Sequence, residues 1–348
     1  MSEATDRPHA VDPSGESYDD RPLTDGDGLP PEVKVPLAQF AGAEPPSPQW
    51  FKDALADAPE RSFVESLGSK IELLTWGEVG KPGLLLVHGN SAHADWWSFI
   101  APFLAKDYRV AAMSLAGMGA SDWRERYAFD DFVADAEACA RAGELYASGE
   151  KPIYVGHSFG GIQVFYAAAR NAERMRAAIL VDTIFGPPPP KRDAQGRPMP
   201  RSLPTGDRDN RVYPTLTAAL ARFRLMPPQP AGALFVADFI ARRSLKEVPL
   251  DDDETGWTWR FDPRMWAKLD PTALRDVRAL GELAIGVPIA HIYGAESAML
   301  QASLTQRPSP LPADSIEIAI PASNHHIMVD QPLALVAALR ALLAAWPA

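Results

Sequence analysis

Five short, mostly apolar runs separated by stretches of helix length most restrict the folds that this chain can adopt. Runs of this kind are typical of strands that are buried on both faces. Strands that alternate with helices predict a parallel sheet covered by helices on both sides, which is an α/β fold. The predicted strands are Leu84 to Val87, Val110 to Met113, Ile153 to Val155, Ala178 to Val181 and Ile289 to Tyr293, with a further strand at Ile316 to Ile320.

The stretches between these strands are predicted to be helices, as at Trp96 to Ala105, Asp131 to Tyr146 and Gly161 to Ala169. A last helix is predicted over Pro332 to Trp346, which is shorter than the roughly 20 residues that cross a bilayer. Ligands of such sheets bind beyond the carboxyl ends of the strands. The loops that directly follow the strands are therefore the first places to look for functional residues.

The strand and helix alternation is lost over residues 186–280, which are rich in proline, arginine and aromatic residues. This segment lies between two predicted core strands, so it is an insertion into one core made of residues 49–185 and 281–348. We expect a mainly helical cap, because a cap over a site excludes water and shapes a substrate pocket.

The first fifty residues contain ten acidic residues and nine prolines, and they lack the basic start and apolar run of a secretory signal. We therefore expect residues 1–48 to form a disordered tail and the protein to be cytoplasmic. The formal net charge of -11 disfavours binding to nucleic acid or to an anionic membrane. The expected partner is a small-molecule substrate, and a homodimer is compatible with the sequence.

One predicted strand leads directly into Gly156-His157-Ser158-Phe159-Gly160, which has the pattern G-x-S-x-G and is followed by a predicted helix. In this pattern a sharp turn from strand to helix exposes a serine hydroxyl above the sheet. The glycines allow close approach of neighbouring backbone segments. Ser158 is thus the candidate nucleophile.

The last predicted strand is followed by a loop that contains His325 and His326. A serine hydroxyl needs a base to take its proton, and histidine can serve as that base near neutral pH. Adjacent loop residues point in different directions, so only one of the two can face Ser158. Attack of a serine on a carbonyl group leaves a negatively charged oxygen, which two backbone N–H groups must stabilise. The candidate donors are the N–H groups of Phe159 and Asn90.

These features together resemble the α/β-hydrolase superfamily over roughly Arg61 to Trp346, apart from the insertion. The resemblance is carried by His88-Gly89-Asn90, Gly117-Met118-Gly119-Ala120-Ser121, the turn at Ser158 and the final motif that ends in Asp330-Gln331-Pro332. In the family pattern the catalytic histidine stands seven residues before this proline, which favours His325. The resemblance implies a Ser-His-acid triad that transfers an acyl group to water.

The triad acid departs from the family pattern, because the usual aspartate position after Gly294 is occupied by Ser297. Some members place the acid after the strand that follows the nucleophile helix, about 24 residues beyond the nucleophile. Asp182 stands at that position and is the preferred acid. Glu296 is the alternative acid, since its longer side chain could compensate for a shift of one residue.

Five residues near these loops or in the insertion are candidates for substrate binding, although aromatic residues also fill cores. They are His93, Trp97, His157, Trp257 and Trp266. His88 is expected to be a buried structural histidine, and Asp262 is expected to hold the cap together. Cys139, the only cysteine, is expected in the core.

The resemblance implies a serine hydrolase that needs no metal and no organic cofactor, and the sequence contains no motif for either. A carboxylic ester or lactone is the first choice of substrate, and the aromatic residues of the insertion suggest a small apolar or aromatic compound. The alternatives are hydrolysis of an amide or a carbon-carbon bond with the same triad, and a non-catalytic binding protein of the same fold. Dehalogenases and epoxide hydrolases of the superfamily need a carboxylate where Ser158 stands, which disfavours both reactions.

Overall fold

A computed structural model describes residues 29–185, 209–250, 254–273, 285–304 and 311–346. Its described strands form one large mixed sheet and one separate hairpin. The sheet contains β1 (Glu60–Ser66), β2 (Ser69–Trp76), β3 (Gly83–Val87), β4 (Arg109–Met113), β5 (Ile153–His157), β6 (Ala177–Val181), β9 (Ile289–Gly294) and β10 (Ile316–Ile320), and the hairpin contains β7 (Leu245–Pro249) and β8 (Thr255–Trp259).

The large sheet has the strand order β1-β2-β4-β3-β5-β6-β9-β10. Strand β2 pairs antiparallel with β1 and β4, and the other neighbouring pairs from β4 to β10 are parallel. All six strands that the sequence predicts are therefore confirmed, and the fold class is the predicted α/β class with a mostly parallel central sheet. The sequence did not predict β1 and β2.

The central strands divide their side chains between two cores, one on each face of the sheet. In β3, Leu84 and Leu86 belong to one cluster of buried residues, whereas Leu85 and Val87 belong to the other. This division follows from the alternation of side chains along a strand. Each fully buried leucine contributes about 1.5 to 3 kcal/mol to folding. The continuous apolar runs of the sequence thus reflect burial on both faces.

Helices cover both faces of the sheet. The described helices are α1 (Pro31–Lys34), α2 (Gln49–Ala56), α3 (Ala101–Ala105), α4 (Phe129–Ala142), α5 (Phe159–Arg170), α6 (Leu216–Leu220), α7 (Leu234–Arg243), α8 (Met265–Lys268), α9 (Ala298–Leu304), α10 (Ile327–Asp330) and α11 (Pro332–Ala345), with 3-10 turns at Ala38–Phe40, Ala94–Trp97 and Ala172–Arg174. None of the helices in the described ranges is long and apolar enough to cross a membrane.

The described part of the insertion contains α6, α7 and α8, and also the antiparallel hairpin of β7 and β8. The hairpin differs from the expected mainly helical cap. The sequence carried a strand signal here, because small residues alternate with tryptophans in Gly256-Trp257-Thr258-Trp259. In the structure Gly256 and Thr258 are more buried than the two tryptophans. The remainder of the predicted cap, at residues 186–208, 251–253 and 274–280, lies outside the described residues.

The predicted tail is partly folded. Residues 1–28 lie outside the described residues, but Val33 and Leu37 are buried and Leu37 joins one of the two cores. The backbone oxygen of Gly42 also accepts a hydrogen bond from Arg242 on α7. Burial of these apolar side chains outweighs the acidic, proline-rich composition, and the expectation of a disordered tail is wrong for residues 29–48.

Candidate active site

Ser158 lies at the sharp turn between β5 and α5, with backbone angles φ 52° and ψ -116°. A positive φ is unfavourable for a residue with a side chain and costs about 1 to 3 kcal/mol. The turn is held by the hydrogen bond from the Ser158 N–H to the Val181 oxygen at 2.9 Å. The strained backbone therefore presents the Ser158 hydroxyl at the carboxyl ends of the strands.

The glycines around Ser158 are required by close backbone approaches. A Cβ atom on Gly156 would lie 2.4 Å from the Gly160 oxygen, and a Cβ atom on Gly160 would lie 2.3 Å from the His88 oxygen. Neither contact leaves room for a side chain. The start of α5 can thus pack directly against β5 and against the loop that follows β3.

His325 lies between the serine and a carboxylate. Its Nε2 atom is 2.8 Å from Ser158 Oγ, and its Nδ1 atom is 2.7 Å from Asp182 Oδ1. Because an ionised carboxylate only accepts hydrogen bonds, Nδ1 carries the ring proton and Nε2 accepts from the serine hydroxyl. The three side chains form a continuous row of hydrogen bonds in which His325 is oriented to take the serine proton.

Asp182 follows β6 directly and is fully buried. Besides His325, its carboxylate accepts hydrogen bonds from the Gly294 N–H at Oδ2 and from the Ser297 hydroxyl at Oδ1, both at 2.8 Å. A buried carboxylate needs such donors, because an unpaired buried charge is costly. Both oxygens of Asp182 are therefore satisfied, and one of them faces His325.

The alternative acid, Glu296, does not approach His325. Its side chain is exposed, and its backbone N–H donates to the Ser323 oxygen at 2.9 Å. The shift of one residue therefore turns the longer carboxylate toward solvent instead of the histidine. The structure brings Asp182 to His325 and leaves Glu296 outside the row of hydrogen bonds.

The predicted oxyanion donors lie on two segments that meet at Ser158. A Cβ atom on Gly89 would lie 3.3 Å from Ser158 Cβ, so the loop after β3 passes directly beside the serine. The backbone N–H groups of Asn90 and Phe159 make no hydrogen bond to any residue in the described ranges. Neither N–H group is thus engaged by a backbone oxygen of the described residues.

The five predicted substrate-binding residues have different positions. His157 is adjacent to the triad, with its ring centroid 5.0 Å from that of His325, and Trp266 packs against Phe159 at 5.4 Å. Trp97 is fully buried in one core. The ring of His93 bonds Ser244 Oγ at 3.0 Å, and Trp257 pairs through its backbone with Tyr213. Trp97 is thus part of the core packing and His93 bonds the insertion, whereas Trp257 pairs within the insertion.

Two residues that the sequence assigned to structural roles have those roles here. His88 bonds the Gly89 oxygen through Nδ1 and accepts the Leu115 N–H at Nε2, and burial lowers the pKa of its ring to about 3. Asp262 accepts hydrogen bonds from Tyr127 and Lys268 at 2.9 Å each. Asp262 therefore connects the insertion to the core and does not contact His325.

Two further imidazoles, those of His157 and His326, lie against His325. Their rings are 5.4 Å apart, and the ring of Trp96 packs near both. Burial lowers the pKa of His157 to about 3 and that of His326 well below its ordinary value. Both rings are therefore neutral near pH 7. The sequence identified His326 only as a neighbour of His325, although the adjacent pair and His157 were visible in it.

Asp330 holds the loop that carries His325. Its Oδ2 atom accepts the Asn324 N–H at 2.8 Å and the Gln229 side-chain amide at 3.0 Å, and its Oδ1 atom accepts the Gly232 N–H at 3.2 Å. The oxygen of Gln229 in turn accepts the His326 N–H at 2.9 Å. The insertion and the histidine loop are thus joined through one carboxylate, which explains the aspartate of the final motif.

A mostly parallel sheet with a Ser-His-Asp row at the carboxyl ends of its strands is the arrangement of α/β-fold hydrolases. The chain belongs to the alpha/beta hydrolase family, whose model matches residues 84–339.

Individual relatives include the lipase LipV of Mycobacterium tuberculosis, 32% identical over 108 residues that cover 31% of this chain and 39% of that protein. A haloalkane dehalogenase of Sphingobium indicum is 31% identical over 37% of this chain and 43% of that protein. Epoxide hydrolase A of Mycobacterium tuberculosis is 30% identical over 34% of this chain and 37% of that protein. The chain thus spans about two fifths of the length of these curated relatives.

Similar solved structures cover more of the chain. A thioesterase domain from the curacin biosynthetic pathway matches with a TM-score of 0.64 and 21% identity, over 81% of this chain and 99% of that chain. The structure of E-2-(acetamidomethylene)succinate hydrolase matches with a TM-score of 0.63 and 18% identity, over 81% and 98%. At these identities the likeness is one of fold.

Proposed function

We propose that the chain is a serine hydrolase that cleaves a carboxylic ester or lactone of a small apolar or aromatic compound through an acyl-enzyme. The observation that carries the proposal is the row of hydrogen bonds from Ser158 through His325 to Asp182. A nucleophile bonded to a base that is itself oriented by a carboxylate is the arrangement that nucleophilic catalysis requires.

In the first half of the reaction, Ser158 Oγ attacks the carbonyl carbon while its proton passes to His325 Nε2. The carbonyl oxygen becomes an oxyanion that the N–H groups of Asn90 and Phe159 stabilise. The buried carboxylate of Asp182 stabilises the imidazolium that forms. When the tetrahedral intermediate collapses, the C–O bond to the alcohol breaks and His325 protonates the leaving oxygen.

In the second half, water attacks the carbonyl carbon of the acyl-enzyme and gives a proton to His325 Nε2. Collapse breaks the bond to Ser158, which takes the proton back from the imidazolium as the carboxylic acid leaves. In a lactone the leaving alcohol stays attached to the acyl group, so this hydrolysis yields a hydroxy acid. The exchange of protons between Ser158 and His325 needs no cofactor.

The nucleophile distinguishes this chain from two groups of its relatives. The family pattern implies a carboxylate at this turn in haloalkane dehalogenases and epoxide hydrolases, whereas position 158 of this chain is a serine. Aromatic rings flank the site, with Trp266 against Phe159 and Trp96 against His157. These rings favour an apolar or aromatic substrate over a strongly charged one.

The test is hydrolysis of short-chain p-nitrophenyl esters and of aromatic lactones by the wild type and by Ser158→Ala. We expect the variant to lose at least about 10³-fold in kcat/KM. A fluorophosphonate should label the wild type at Ser158 and leave the variant unlabelled. Equal rates for the two proteins would contradict the proposal and would favour a non-catalytic binding protein.

A further inference from the structure

Three buried imidazoles meet beside the nucleophile. His157, His325 and His326 are each at most 4% exposed. One ring nitrogen from each of the three lies within 4.8 Å of the others. The reaction described above uses only His325, so the packing of two more imidazoles against it requires a separate explanation.

Hydrogen bonds to carbonyl oxygens fix the tautomers of the two additional rings. His157 Nε2 lies 3.1 Å from the His325 oxygen, and His326 Nε2 lies 3.1 Å from the Met226 oxygen. Because a carbonyl oxygen only accepts, both Nε2 atoms carry the proton and both Nδ1 atoms have a free lone pair. These two Nδ1 atoms are buried and have no hydrogen-bond partner among the described residues.

This pattern is that of metal-binding histidines, whose second nitrogen donates to a carbonyl or a carboxylate. His157 and His326 each donate to a backbone oxygen, and His325 donates to Asp182. Imidazole nitrogens suit Zn²⁺ and related transition metals, whereas Mg²⁺ prefers oxygen ligands. Ser158 is only partly buried, so the cluster borders a surface that a metal ion can reach.

We propose that His157, His325 and His326 form a binding site for a divalent transition metal such as Zn²⁺, and that the bound metal inhibits hydrolysis. The inhibition rests on the proposed function. Both nitrogens of His325 serve the triad, so whichever one binds the metal must give up its hydrogen bond to Ser158 or to Asp182. Metal binding and proton transfer thus exclude each other.

The distances support a site that forms by a small movement. Zinc–nitrogen bonds of about 2.0 to 2.1 Å in tetrahedral geometry place ligand nitrogens about 3.3 Å apart. The nitrogens here lie within 4.8 Å, so the rings must draw together to bind the ion. Such a movement pulls His325 away from its place in the triad, and the free enzyme keeps the arrangement that supports catalysis.

Binding is tested without reference to activity by adding Co²⁺ to the full chain and recording the visible absorption that marks four-coordinate cobalt. We expect the wild type and Ser158→Ala to show this absorption and to lose it when Zn²⁺ displaces cobalt. His326→Phe, which keeps an aromatic ring beside Trp96, should bind Zn²⁺ at least about tenfold more weakly by calorimetry. Absence of four-coordinate absorption in the wild type overturns the proposal even if the variant does not fold.

The matched control is His9→Gln, which removes an imidazole outside the described residues and should keep full Zn²⁺ affinity. If this variant loses the affinity and His326→Phe retains it, the assignment of the site is wrong. In ester hydrolysis, Zn²⁺ should inhibit the wild type, EDTA should restore the rate, and Mg²⁺ should have no effect. Cobalt absorption without any ester hydrolysis would contradict the proposed function alone, and hydrolysis that Zn²⁺ leaves unchanged would contradict the inhibition alone.

Discussion

Ser297 donates a hydrogen bond of 2.8 Å to the carboxylate of Asp182, from the position where the family pattern would place the triad acid itself. The two residues follow neighbouring parallel strands, β6 and β9. A carboxylate at the end of one strand thus orients His325, and a hydroxyl at the end of the next strand orients that carboxylate. Positions 182 and 297 thus both hold polar groups, but the carboxylate stands at 182 instead of at 297, where the family pattern would place it.

Replacing the acid should separate the two candidates for this role. We expect Asp182→Asn to reduce kcat by about 10³- to 10⁴-fold, because His325 loses the group that fixes its tautomer and stabilises its charge. Glu296→Gln should retain wild-type activity, since Glu296 is exposed and does not contact the histidine. Steady-state kinetics on one p-nitrophenyl ester measures both. A large loss in the Glu296 variant would reverse the assignment.

A carboxylate at position 297 should partly replace the carboxylate of Asp182. Because Ser297 Oγ lies 2.8 Å from Asp182 Oδ1, a carboxylate placed at position 297 would lie close to His325 Nδ1. We expect the double variant Asp182→Asn with Ser297→Asp to be at least about tenfold more active than Asp182→Asn alone. The comparison of kcat for the two proteins measures the rescue. Equal values would show that the second strand cannot support the histidine.

Ser297→Ala removes one donor to the buried carboxylate and should act more mildly. Hydrogen bonds to charged groups contribute about 1.5 to 3 kcal/mol, part of which the Gly294 N–H can still provide. We expect a loss of about 10-fold in kcat with KM nearly unchanged, because Ser297 acts through Asp182 and does not contact substrate. A change in KM alone would contradict a positioning role.

Stability should decrease in acid because buried histidines stay neutral in the folded protein. Burial lowers the pKa of His88 to about 3 and that of His291 to about 4. Below pH 6.5 these two imidazoles take up protons in the unfolded chain but stay neutral in the folded chain. Each ring therefore lowers the free energy of unfolding by about 1.4 kcal/mol per pH unit below that point, until its pKa in the folded state is reached. Urea unfolding between pH 7 and pH 4 measures the slope.

The matched variant is His291→Gln, whose side-chain oxygen can replace the ring nitrogen that accepts the Thr183 N–H. Between pH 6.5 and pH 4, the free energy of unfolding of this variant should change less steeply with pH, by about 1.4 kcal/mol per pH unit, which is the contribution of one proton. Above pH 7 the slope should be the same as in the wild type. A slope equal to that of the wild type in the acidic range would show that His291 titrates normally in the folded state.

The connection between insertion and core should be sensitive to Asp262. Its buried carboxylate accepts hydrogen bonds from Tyr127 and Lys268, one on the core and one on the insertion. We expect Asp262→Ala to lower the free energy of unfolding by about 2 to 3 kcal/mol. Denaturant titration measures the loss. Arg264→Ala, which removes a mostly exposed pair with Asp209, is the control and should change stability by less than about 1 kcal/mol.

The central strands and the serine turn could be predicted from the sequence because burial on both faces leaves uninterrupted apolar runs. Strand β1 could not, since it lies at the edge of the sheet and most of its residues are exposed. An edge strand of this kind, with the sequence ERSFVES, carries no apolar pattern.

The G-x-S-x-G pattern indicated Ser158, and the resemblance to the family indicated His325 and Asp182; the structure brings these three side chains together. The positions of His93, Trp97 and Trp257 depend on how the insertion and the loop after β3 pack, and a single sequence does not specify that packing. The role of Ser297 had a signal in the sequence. A serine at the usual position of the acid, together with an aspartate at the alternative position, Asp182, suggests a hydrogen bond between the two.

Asp330 joins residues 229–233 of the insertion to the loop of His325, with further support from the Ala233 N–H bond to the Val329 oxygen at 2.9 Å. If the whole insertion moved away from the core, it would displace the loop of His325 and break the hydrogen bond between His325 and Ser158. Admission of substrate therefore has to leave this attachment in place.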